Sequence, residues 1–234
     1  MTIAILINTY CRKNGSSPTI LRRALDSVFA QSFKDFKVFV IGDRYDPDSE
    51  FRSILNCYPQ DKMYIENLPV ARERDMGYTG QILWVTGGIN AGNHGLDIII
   101  NQGFSWVAKL DHDDWWDTNH LEEISTAIEK FNCDFVCTKS THVTGKILPE
   151  IDGGEYIPFY PVPCGITHSS VCMNYRQIPL RYVNMWETYG ELYPSDANLW
   201  ERARDHMITH SLKGICINKL TCHHDEEGYS FYNV

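Results

Sequence analysis

The chain has 234 residues, a length that suits one large domain or two halves sharing one sheet. Its composition, 43% hydrophobic and 22% charged, excludes disordered, collagen-like and coiled-coil proteins. The formal net charge of −9 argues against a nucleic-acid-binding protein, because phosphate neutralisation needs clustered cations. The sequence has no apolar stretch of the ~20 residues that span a bilayer, and no signal-peptide pattern. We therefore expect a cytoplasmic protein without a transmembrane segment.

The first part of the chain alternates between β-rich and helical patterns. A continuous apolar run over residues 3–7 is typical of a buried parallel strand, and Ser17 with Pro18 predicts the start of a helix. In chain order the patterns then predict strands at 36–41, 63–65, 105–110 and 135–138, and helices at 49–57, 93–101 and 119–130. This alternation predicts a mostly parallel sheet with helices on both faces.

Local signals predict several further features. Asn119 with Glu122 matches a capping box. Residues 66–90 are long for a connection, so they form either a functional loop or an element that the pattern does not reveal. In the second half the signals predict a hairpin turn at Thr144-Gly145, a helix capped by Ser195, and a final strand at 215–220.

The chain contains eight cysteines and no CxxC pair. An even number of cysteines is also typical of secreted disulfide frameworks, but those belong to short chains with signal peptides. Several of these cysteines lie in apolar surroundings, where a free thiol behaves as a small hydrophobic side chain. We therefore predict reduced, structural thiols.

Two carboxylates, Asp111 and Asp113, directly follow a predicted buried strand. Ligands in open α/β sheets bind at the carboxyl ends of the strands, and carboxylate oxygens there are suitable ligands for Mg²⁺ or Mn²⁺. A bound cation also relieves the repulsion between two close negative charges. The alternative is a polar turn that caps the next helix, but the buried strand before the pair and Trp115-Trp116 after it favour the metal.

Six segments, taken in this order, resemble family 2 glycosyltransferases of the GT-A fold. They are 5–10, 27–33, 38–43, 90–95, 110–114 and 195–202. The resemblance covers about residues 3–202. It implies a single GT-A domain over 1–234, an α/β/α sandwich with a mixed, mostly parallel sheet. It also implies a nucleotide-sugar-binding half at about 1–114, an acceptor-binding half at about 115–234, and inverting transfer from a nucleotide-activated sugar.

The resemblance implies a set of nucleotide contacts, from Thr9, Tyr10, Arg12, Asp43, Asn93, Asp111 and His112. Asp43 is placed at the nucleobase, and a carboxylate can accept the N3–H of uracil or thymine but receives nothing from cytosine. The implied donor is therefore a UDP- or TDP-sugar, with Arg12 near the diphosphate. In the alternative interpretation Asp43 is a turn residue only.

The chain departs from the family at two of these places. It has Gly42-Asp43 where the family often has two adjacent acidic residues, and Gly92-Asn93 where the family commonly has Arg-Asn. Gly92 and Gly95 fit a tight helix entrance that faces the donor phosphates. They fit a turn without that role equally well.

Asp196 is the candidate catalytic base, because its position matches the acidic motif of the family at the head of a helix. Inverting transfer needs a group that removes the proton of the acceptor hydroxyl. The alternative is a first-turn acid that the helix dipole favours.

The resemblance also places a late histidine, His224, with Asp111 and Asp113 at the metal. A zinc site at Cys222, His223 and His224 is an alternative, but a fourth ligand is not nearby in the sequence. Aromatic rings can stack on sugar faces, so the candidate acceptor contacts are Trp115, Trp186 and Tyr189, with His168 lining the same cleft.

Together these features predict a glycosyltransferase that is inverting, assisted by Mn²⁺ or Mg²⁺, and acts on a glycan or other glycoconjugate acceptor. A sugar-1-phosphate nucleotidyltransferase is the nearest alternative enzyme. It is disfavoured because Arg12-Lys13-Asn14-Gly15 is too sparse for a Gly-rich loop with paired basic residues. A non-catalytic nucleotide-sugar-binding module is disfavoured because Asp111, Asp113 and Asp196 are all present.

Overall fold

A computed structural model describes residues 1–225 of the protein. Within them ten strands form one sheet, in the order β3-β2-β1-β4-β9-β6-β10-β5, with β7 pairing to β6 and β8 to β10. The strands are β1 (Ile3–Thr9), β2 (Phe36–Gly42), β3 (Met63–Asn67), β4 (Trp106–Lys109), β5 (Trp115–Trp116), β6 (Phe135–Thr141), β7 (Ile147–Leu148), β8 (Tyr156–Pro158), β9 (Val171–Asn174) and β10 (Gly214–His223).

Helices cover both faces of this sheet. They are α1 (Ser17–Phe29), α2 (Asp48–Leu55), α3 (Arg72–Asp75), α4 (Gly80–Thr86), α5 (Ile89–Asn101), α6 (His120–Phe131), α7 (Met185–Tyr189) and α8 (Ser195–Thr209). In the part of the chain that the structure describes, no helix is long and apolar enough to cross a bilayer. The eight cysteines all lie within residues 1–225 and are free thiols, five of them buried.

The side chains of β1 show how the sheet separates two apolar cores. Ile5 and its neighbours at alternate positions pack in one core with α1, α2 and α6, whereas Leu6 packs in the other with α5 and α8. Successive strand residues point to opposite faces, so a strand that is apolar at every position is buried on both sides. The predicted α/β/α sandwich with a mixed, mostly parallel sheet is confirmed.

One strand in the middle of the sheet, β9, is antiparallel to both of its neighbours. β9 pairs antiparallel with both β4 and β6, and the sequence pattern did not predict it. A strand that runs backwards begins at the edge where its parallel neighbours end. The 3₁₀ turn His168–Ser170, which leads into β9, therefore lies beside the carboxyl end of β4.

Helix α5 begins at Ile89, so the predicted helix entrance at Gly92 and Gly95 is wrong. Both glycines lie inside the helix and allow close packing. A Cβ on Gly95 would be 2.5 Å from Cδ1 of Leu6, and one on Gly92 would be 3.0 Å from the ring of Tyr182.

The predicted capping box at Asn119 and Glu122 is also wrong. The side chain of Asn119 accepts no capping hydrogen bond, and Glu122 instead accepts a hydrogen bond of 2.5 Å from the Ser32 hydroxyl. The amide oxygen of Gln31, which lies just after α1, accepts from the backbone N–H of Leu121 at 2.9 Å. A residue distant in sequence thus supplies the cap.

Other local predictions are confirmed. The hairpin turn joins β6 and β7, with the N–H of His142 bonded to the carbonyl of Lys146 at 2.9 Å. The long connection at 66–90 contains the two short helices α3 and α4, so it holds elements that the pattern did not reveal. The predicted starts of α1 at Ser17 and of α8 at Ser195 are confirmed, but the predicted cap role of these serines is wrong, because they are the first residues of the two helices.

Candidate active site

The carboxyl ends of β1, β2 and β4 meet at one edge of the sheet and bring the predicted polar residues together. Thr9 ends β1, and its carbonyl accepts the N–H of Asp43 at 2.7 Å. The next neighbour is β4, whose register pairs Leu6 with Lys109 and so carries Asp111 to the same edge. This is the position that open α/β sheets use for ligands.

Asp43 is buried, with 2% of its surface exposed, and its two carboxylate oxygens differ. Oδ2 lies 2.8 Å from Nη2 of Arg74, whereas Oδ1 has no hydrogen-bond partner among residues 1–225. The hydroxyl of Thr9 is likewise buried and, within the same residues, without a partner. Burial raises the pKa of Asp43, and Arg74 opposes this effect. A buried polar atom without a partner is costly, so these two oxygens are candidates for ligand contact.

Arg74 also covers the ring of Tyr10, with the guanidinium carbon 4.6 Å from the ring centroid. On another side Tyr10 meets the ring of His112 edge-on at 5.2 Å. His112 is fixed through Nδ1, which is 3.3 Å from the carbonyl of Asn8, and burial lowers its pKa. Tyr10, His112 and Arg74 thus form one group next to Asp43.

Arg12 is bonded to Asp113 in the structure. Its Nη2 lies 2.5 Å from Oδ2 of Asp113, and both side chains are largely buried. The loop that carries Arg12 is held by Ser17, whose hydroxyl accepts the Arg12 N–H at 2.7 Å and donates to the Tyr10 carbonyl at 3.0 Å. The predicted diphosphate contact of Arg12 stays a prediction.

Asp111 is the most open carboxylate of its motif, with 42% of its side chain exposed. Its Oδ1 lies 2.8 Å from Nδ1 of His168, and its N–H donates to the hydroxyl of Ser169 at 2.9 Å. Partial enclosure by the protein acts to raise the pKa of Asp111, but the adjacent His168 outweighs this effect and lowers the pKa. Asp111 is therefore ionised at neutral pH.

Asp114 is fully buried and accepts three hydrogen bonds. Ser169 donates to Oδ2 at 2.5 Å, and Nδ1 of His224 and the N–H of Asp225 reach Oδ1 at 2.9 and 3.1 Å. Burial acts to lower the pKa of His224, but the bond to Asp114 outweighs it and raises the pKa. His224 and Asp114 therefore form an ion pair at neutral pH.

Trp115, a predicted acceptor contact, packs between two charged or polar side chains. The guanidinium carbon of Arg23 is 4.2 Å from its ring centroid, and His223 stacks on it at 5.3 Å. Arg23 also donates hydrogen bonds to the carbonyl of Asp113 and to the carboxylate of Asp225.

The predicted metal ligands Asp111, Asp113 and His224 each have a protein partner, and residues 1–225 contain no group of three or more His, Cys, Asp or Glu arranged to hold a metal. Asp111 and Asp113 nevertheless each keep one oxygen that accepts no hydrogen bond from the described chain. Two hard oxygen donors fit Mg²⁺ or Mn²⁺, which take their remaining ligands from phosphates and water. These two residues therefore fit the implied cation.

The alternative zinc site is not assembled in the described part of the chain. Cys222 is buried in the apolar core, while Nε2 of His223 lies 2.9 Å from Asp117. The role of His224 at a metal stays a prediction.

Asp196 lies in the first turn of α8. Its Oδ1 accepts the N–H of Ala197 at 2.8 Å. Burial raises its pKa, while attraction to His168 lowers it and repulsion from Asp111 raises it. Trp200, one turn later on α8, contacts the ring of His168 at 5.9 Å between centroids, so Asp196 lies in the first turn of the helix that packs against His168. Glu187, on α7, is paired with Arg72 at 2.8 Å.

The predicted acceptor aromatics Trp186 and Tyr189 lie on the short helix α7. Trp186 is half-buried, whereas 66% of Tyr189 is exposed. Tyr189 borders an open cleft of ≈ 350 Å³ next to α8, lined by Val183, Met185, Tyr189, Glu191, Asn198 and Arg202.

The side chain of Asn93 joins α5 to the chain before α7. Its amide donates to the carbonyl of Tyr182 at 3.0 Å and accepts from the N–H of Tyr182 at 2.9 Å. The structure thus places Asn93 on Tyr182, and its predicted nucleotide contact is untested.

Several residues that contact the predicted ones were not predicted, namely Arg23, Arg74, Tyr182 and Asp225. Arg74 lies on a helix of four residues, which is too short for a periodic pattern. Ser169 belongs to the same polar run as the predicted cleft residue His168, and its hydroxyl bonds both Asp111 and Asp114.

Comparison with known proteins gives consistent results. The model of a family described as "Glycosyl transferase family 2" matches residues 5–163. The chain is 34% identical over 233 residues to the uncharacterized glycosyltransferase R139 of Acanthamoeba polyphaga mimivirus, across 96% of this chain and 94% of that protein. It is 34% identical over 117 residues to the succinoglycan biosynthesis protein ExoW of Rhizobium meliloti, across 50% of this chain and 32% of that protein.

Solved structures show the same fold. TarS 1–349 of S. aureus in complex with UDP aligns with a TM-score of 0.68 at 14% identity, across 96% of this chain and 60% of that chain. The mannosyltransferase PcManGT of Pyrobaculum calidifontis, in complex with GDP-Man and Mn²⁺, aligns with a TM-score of 0.62 at 10% identity, across 98% of this chain and 58% of that chain. The chain thus spans about three fifths of these two proteins.

Proposed function

Because this chain belongs to glycosyl transferase family 2 and has the GT-A fold, we propose that it transfers a sugar from a UDP- or TDP-sugar to a hydroxyl of a glycan or other acceptor, with inversion. Residues of the first half, to about Asp114, bind the donor, and the second half binds the acceptor. The pairing of Asp43 with Arg74 is the observation that carries the choice of donor.

Arg74 engages Oδ2 of Asp43, so one buried acceptor, Oδ1, is left for a ligand. Uracil and thymine offer one N–H on this edge, at N3. Guanine offers two donors side by side and therefore matches a carboxylate with both oxygens available, and cytosine offers no N3–H. The UDP complex of TarS is consistent with a uracil nucleotide, whereas the GDP-Man complex of PcManGT is an example of a guanine nucleotide on the same fold.

The donor diphosphate would lie near Asp111 and Asp113, with Arg12 supplying a fixed positive charge beside them. A divalent cation on the remaining oxygens of the two aspartates would offset the charge that develops on the leaving diphosphate. Arg12 is held by Ser17 and by Asp113, so its charge needs little reorganisation.

Asp196 acts as the general base in this proposal. The acceptor oxygen attacks the anomeric carbon, the bond from that carbon to the diphosphate oxygen breaks, and the acceptor proton passes to the carboxylate of Asp196. Burial raises the pKa of Asp196, which makes it a stronger base than an exposed aspartate.

A thermal-shift series tests the donor assignment, because a ligand that binds only the folded protein raises its stability. UDP, TDP, GDP and CDP are each added with and without Mn²⁺. We expect larger shifts for UDP and TDP, lost in Asp43→Asn and kept in Asp61→Asn, a change at an exposed surface residue. A larger shift with GDP contradicts the assignment.

Product analysis tests the reaction itself. The wild type, supplied with a donor from the stabilising class, should release nucleoside diphosphate and do so faster with a glycan acceptor. Release of pyrophosphate from a nucleoside triphosphate and a sugar phosphate would indicate a nucleotidyltransferase. Binding of the donor without any turnover would indicate a binding module.

A further inference from the structure

His168 lies where the donor side of the cleft meets the acceptor side. It belongs to the turn before β9, and only 14% of its side chain is exposed. Both ring nitrogens are engaged, because Nδ1 lies 2.8 Å from Oδ1 of Asp111 and Nε2 is bonded to the hydroxyl of Tyr182. The ring therefore cannot rotate without losing two hydrogen bonds.

Tyr182 is itself held from two sides. Asn93 bonds both backbone groups of Tyr182, and Nζ of the buried Lys109 lies 4.5 Å from its ring centroid. The ring of Trp200 adds a contact to His168, at 5.9 Å between centroids. His168 is thus supported by α5, β4 and α8, three elements that are far apart in sequence.

His168 contacts residues of both proposed halves of the cleft. Its Nδ1 donates a hydrogen bond to Asp111 on the proposed donor side. On the other side its ring contacts Trp200, which lies one turn after Asp196 on α8.

We propose that His168 is a positioning residue for sugar transfer, which orients the carboxylate of Asp111 toward the donor. This inference rests on the function proposed above. Tyr182 contributes by fixing the ring through Nε2. Groups that orient a ligating or reacting carboxylate in this way typically change affinity or activity about 10- to 100-fold when they are removed.

Four variants separate the two hydrogen bonds of the ring. The amide nitrogen of Asn is two bonds from Cβ, as Nδ1 is, so His168→Asn can still donate to Asp111, whereas His168→Gln cannot do so from the same position. Tyr182→Phe removes the support at Nε2 alone, and His168→Ala removes both bonds. His206→Asn is the matched control, because this histidine is half-buried on α8, away from Asp111, and bonds the Gln177 carbonyl.

We expect His168→Ala and His168→Gln to lower kcat about 10- to 100-fold, with a smaller change in the KM for acceptor. His168→Asn should restore most of the activity, Tyr182→Phe should lose less than His168→Ala, and His206→Asn should match the wild type. Wild-type kcat in His168→Ala, or equal rescue by Gln and Asn, would overturn the inference.

Crystal structures of the wild type and His168→Asn and His168→Ala give a readout that does not depend on turnover. Asp111 should keep its orientation in His168→Asn and change it in His168→Ala. An unchanged Asp111 in His168→Ala overturns the positioning role even if the wild type proves inactive on every donor. Inactivity of the wild type, in contrast, contradicts the proposed function.

Discussion

The guanidinium of Arg12 lies 2.5 Å from Oδ2 of Asp113, although 101 residues separate the two in the chain. The pair is largely buried, and breaking such a pair by removing one partner costs about 3–5 kcal/mol. It joins the loop after β1 to the loop after β4, so these two loops form one unit.

Asp113→Asn should therefore weaken the binding of the metal and of the nucleotide together. The amide keeps the size of the side chain and still accepts a hydrogen bond from Arg12, but it is a poorer ligand for a hard cation. We expect the extra thermal shift that Mn²⁺ gives to UDP to disappear, while the far-UV circular dichroism stays as in the wild type. Asp61→Asn is the control, and unchanged Mn²⁺ dependence in Asp113→Asn would place the cation elsewhere.

Asp196→Asn separates chemistry from binding. The variant keeps the hydrogen bond to the Ala197 N–H but cannot take a proton. General-base catalysis typically contributes about 10²- to 10⁴-fold, so we expect kcat to fall at least 100-fold with UDP affinity near the wild-type value. Asp205→Asn, on the exposed face of the same helix, is the control. Retained turnover would make Asp196 a structural residue and shift the search to Asp114, Glu187 and Glu191.

The pH profile gives a second test of Asp196. A base must be ionised to act, so the transfer rate should fall as the pH falls through its pKa. Burial raises that pKa, and the acid limb of kcat/KM should therefore lie above the ordinary aspartate value of about 3.9. The residual activity of Asp196→Asn should lack this limb. If the profile of Asp196→Asn falls at the same pH as that of the wild type, the acid limb belongs to another group.

His120 predicts acid sensitivity of the fold. It is fully buried, stacks on Trp116 at 4.4 Å and bonds Thr221 at 2.8 Å, and burial lowers its pKa to about 3. The unfolded chain binds a proton near the ordinary pKa of about 6.5, so between these values acidification favours unfolding.

Urea unfolding at pH 7.5 and 5.0 measures this effect. Protonation of His120 in the unfolded chain lowers the unfolding free energy by about 2 kcal/mol between pH 6.5 and 5.0. The loss of unfolding free energy on acidification should be smaller by about that amount in His120→Gln than in the wild type, and unchanged in His206→Gln. Equal losses in all three proteins would contradict the prediction.

Lys109 predicts a stabilising substitution. Its side chain is buried, Nζ has no hydrogen-bond partner among residues 1–225, and the rings of Tyr175 and Tyr182 face it. An unsatisfied buried polar group costs about 1–3 kcal/mol, of which the contacts with the rings return a part. Lys109→Met should raise the unfolding free energy by about 1 kcal/mol, and the exposed control Lys146→Met should not. A fall in stability would show that the amine is satisfied.

The polar edge of the sheet at the ends of β1, β2 and β4 was predictable because its signals are local. Ile3 to Ile7, Phe36 to Ile41 and the residues before Asp111 are short apolar runs that end in polar side chains, and parallel strands collect their ends at one edge. Asp43 and Asp111 could thus be assigned to one cleft without tertiary information.

The partners of these residues could not be predicted, because they depend on contacts between distant segments. Arg74 reaches Asp43 through a helix of four residues, and His168 reaches Asp111 through a strand that runs against its neighbours. Gly95 illustrates the ambiguity of a single residue type. A glycine in the sequence is compatible with a helix entrance and with a close contact inside a helix. Only the position of Leu6 in the folded protein shows that Gly95 makes a close contact.

The partners of Asp114 have a consequence for synthesis of the protein. Two of its three hydrogen bonds come from residues 224 and 225, which follow the last strand, β10. A nascent chain that has emerged only as far as α8 would have to bury this carboxylate with Ser169 alone, at the cost of an unpaired charge. We therefore expect this edge of the sheet to stay open on the ribosome and to close only when β10 joins β6 and residues 224 and 225 reach Asp114.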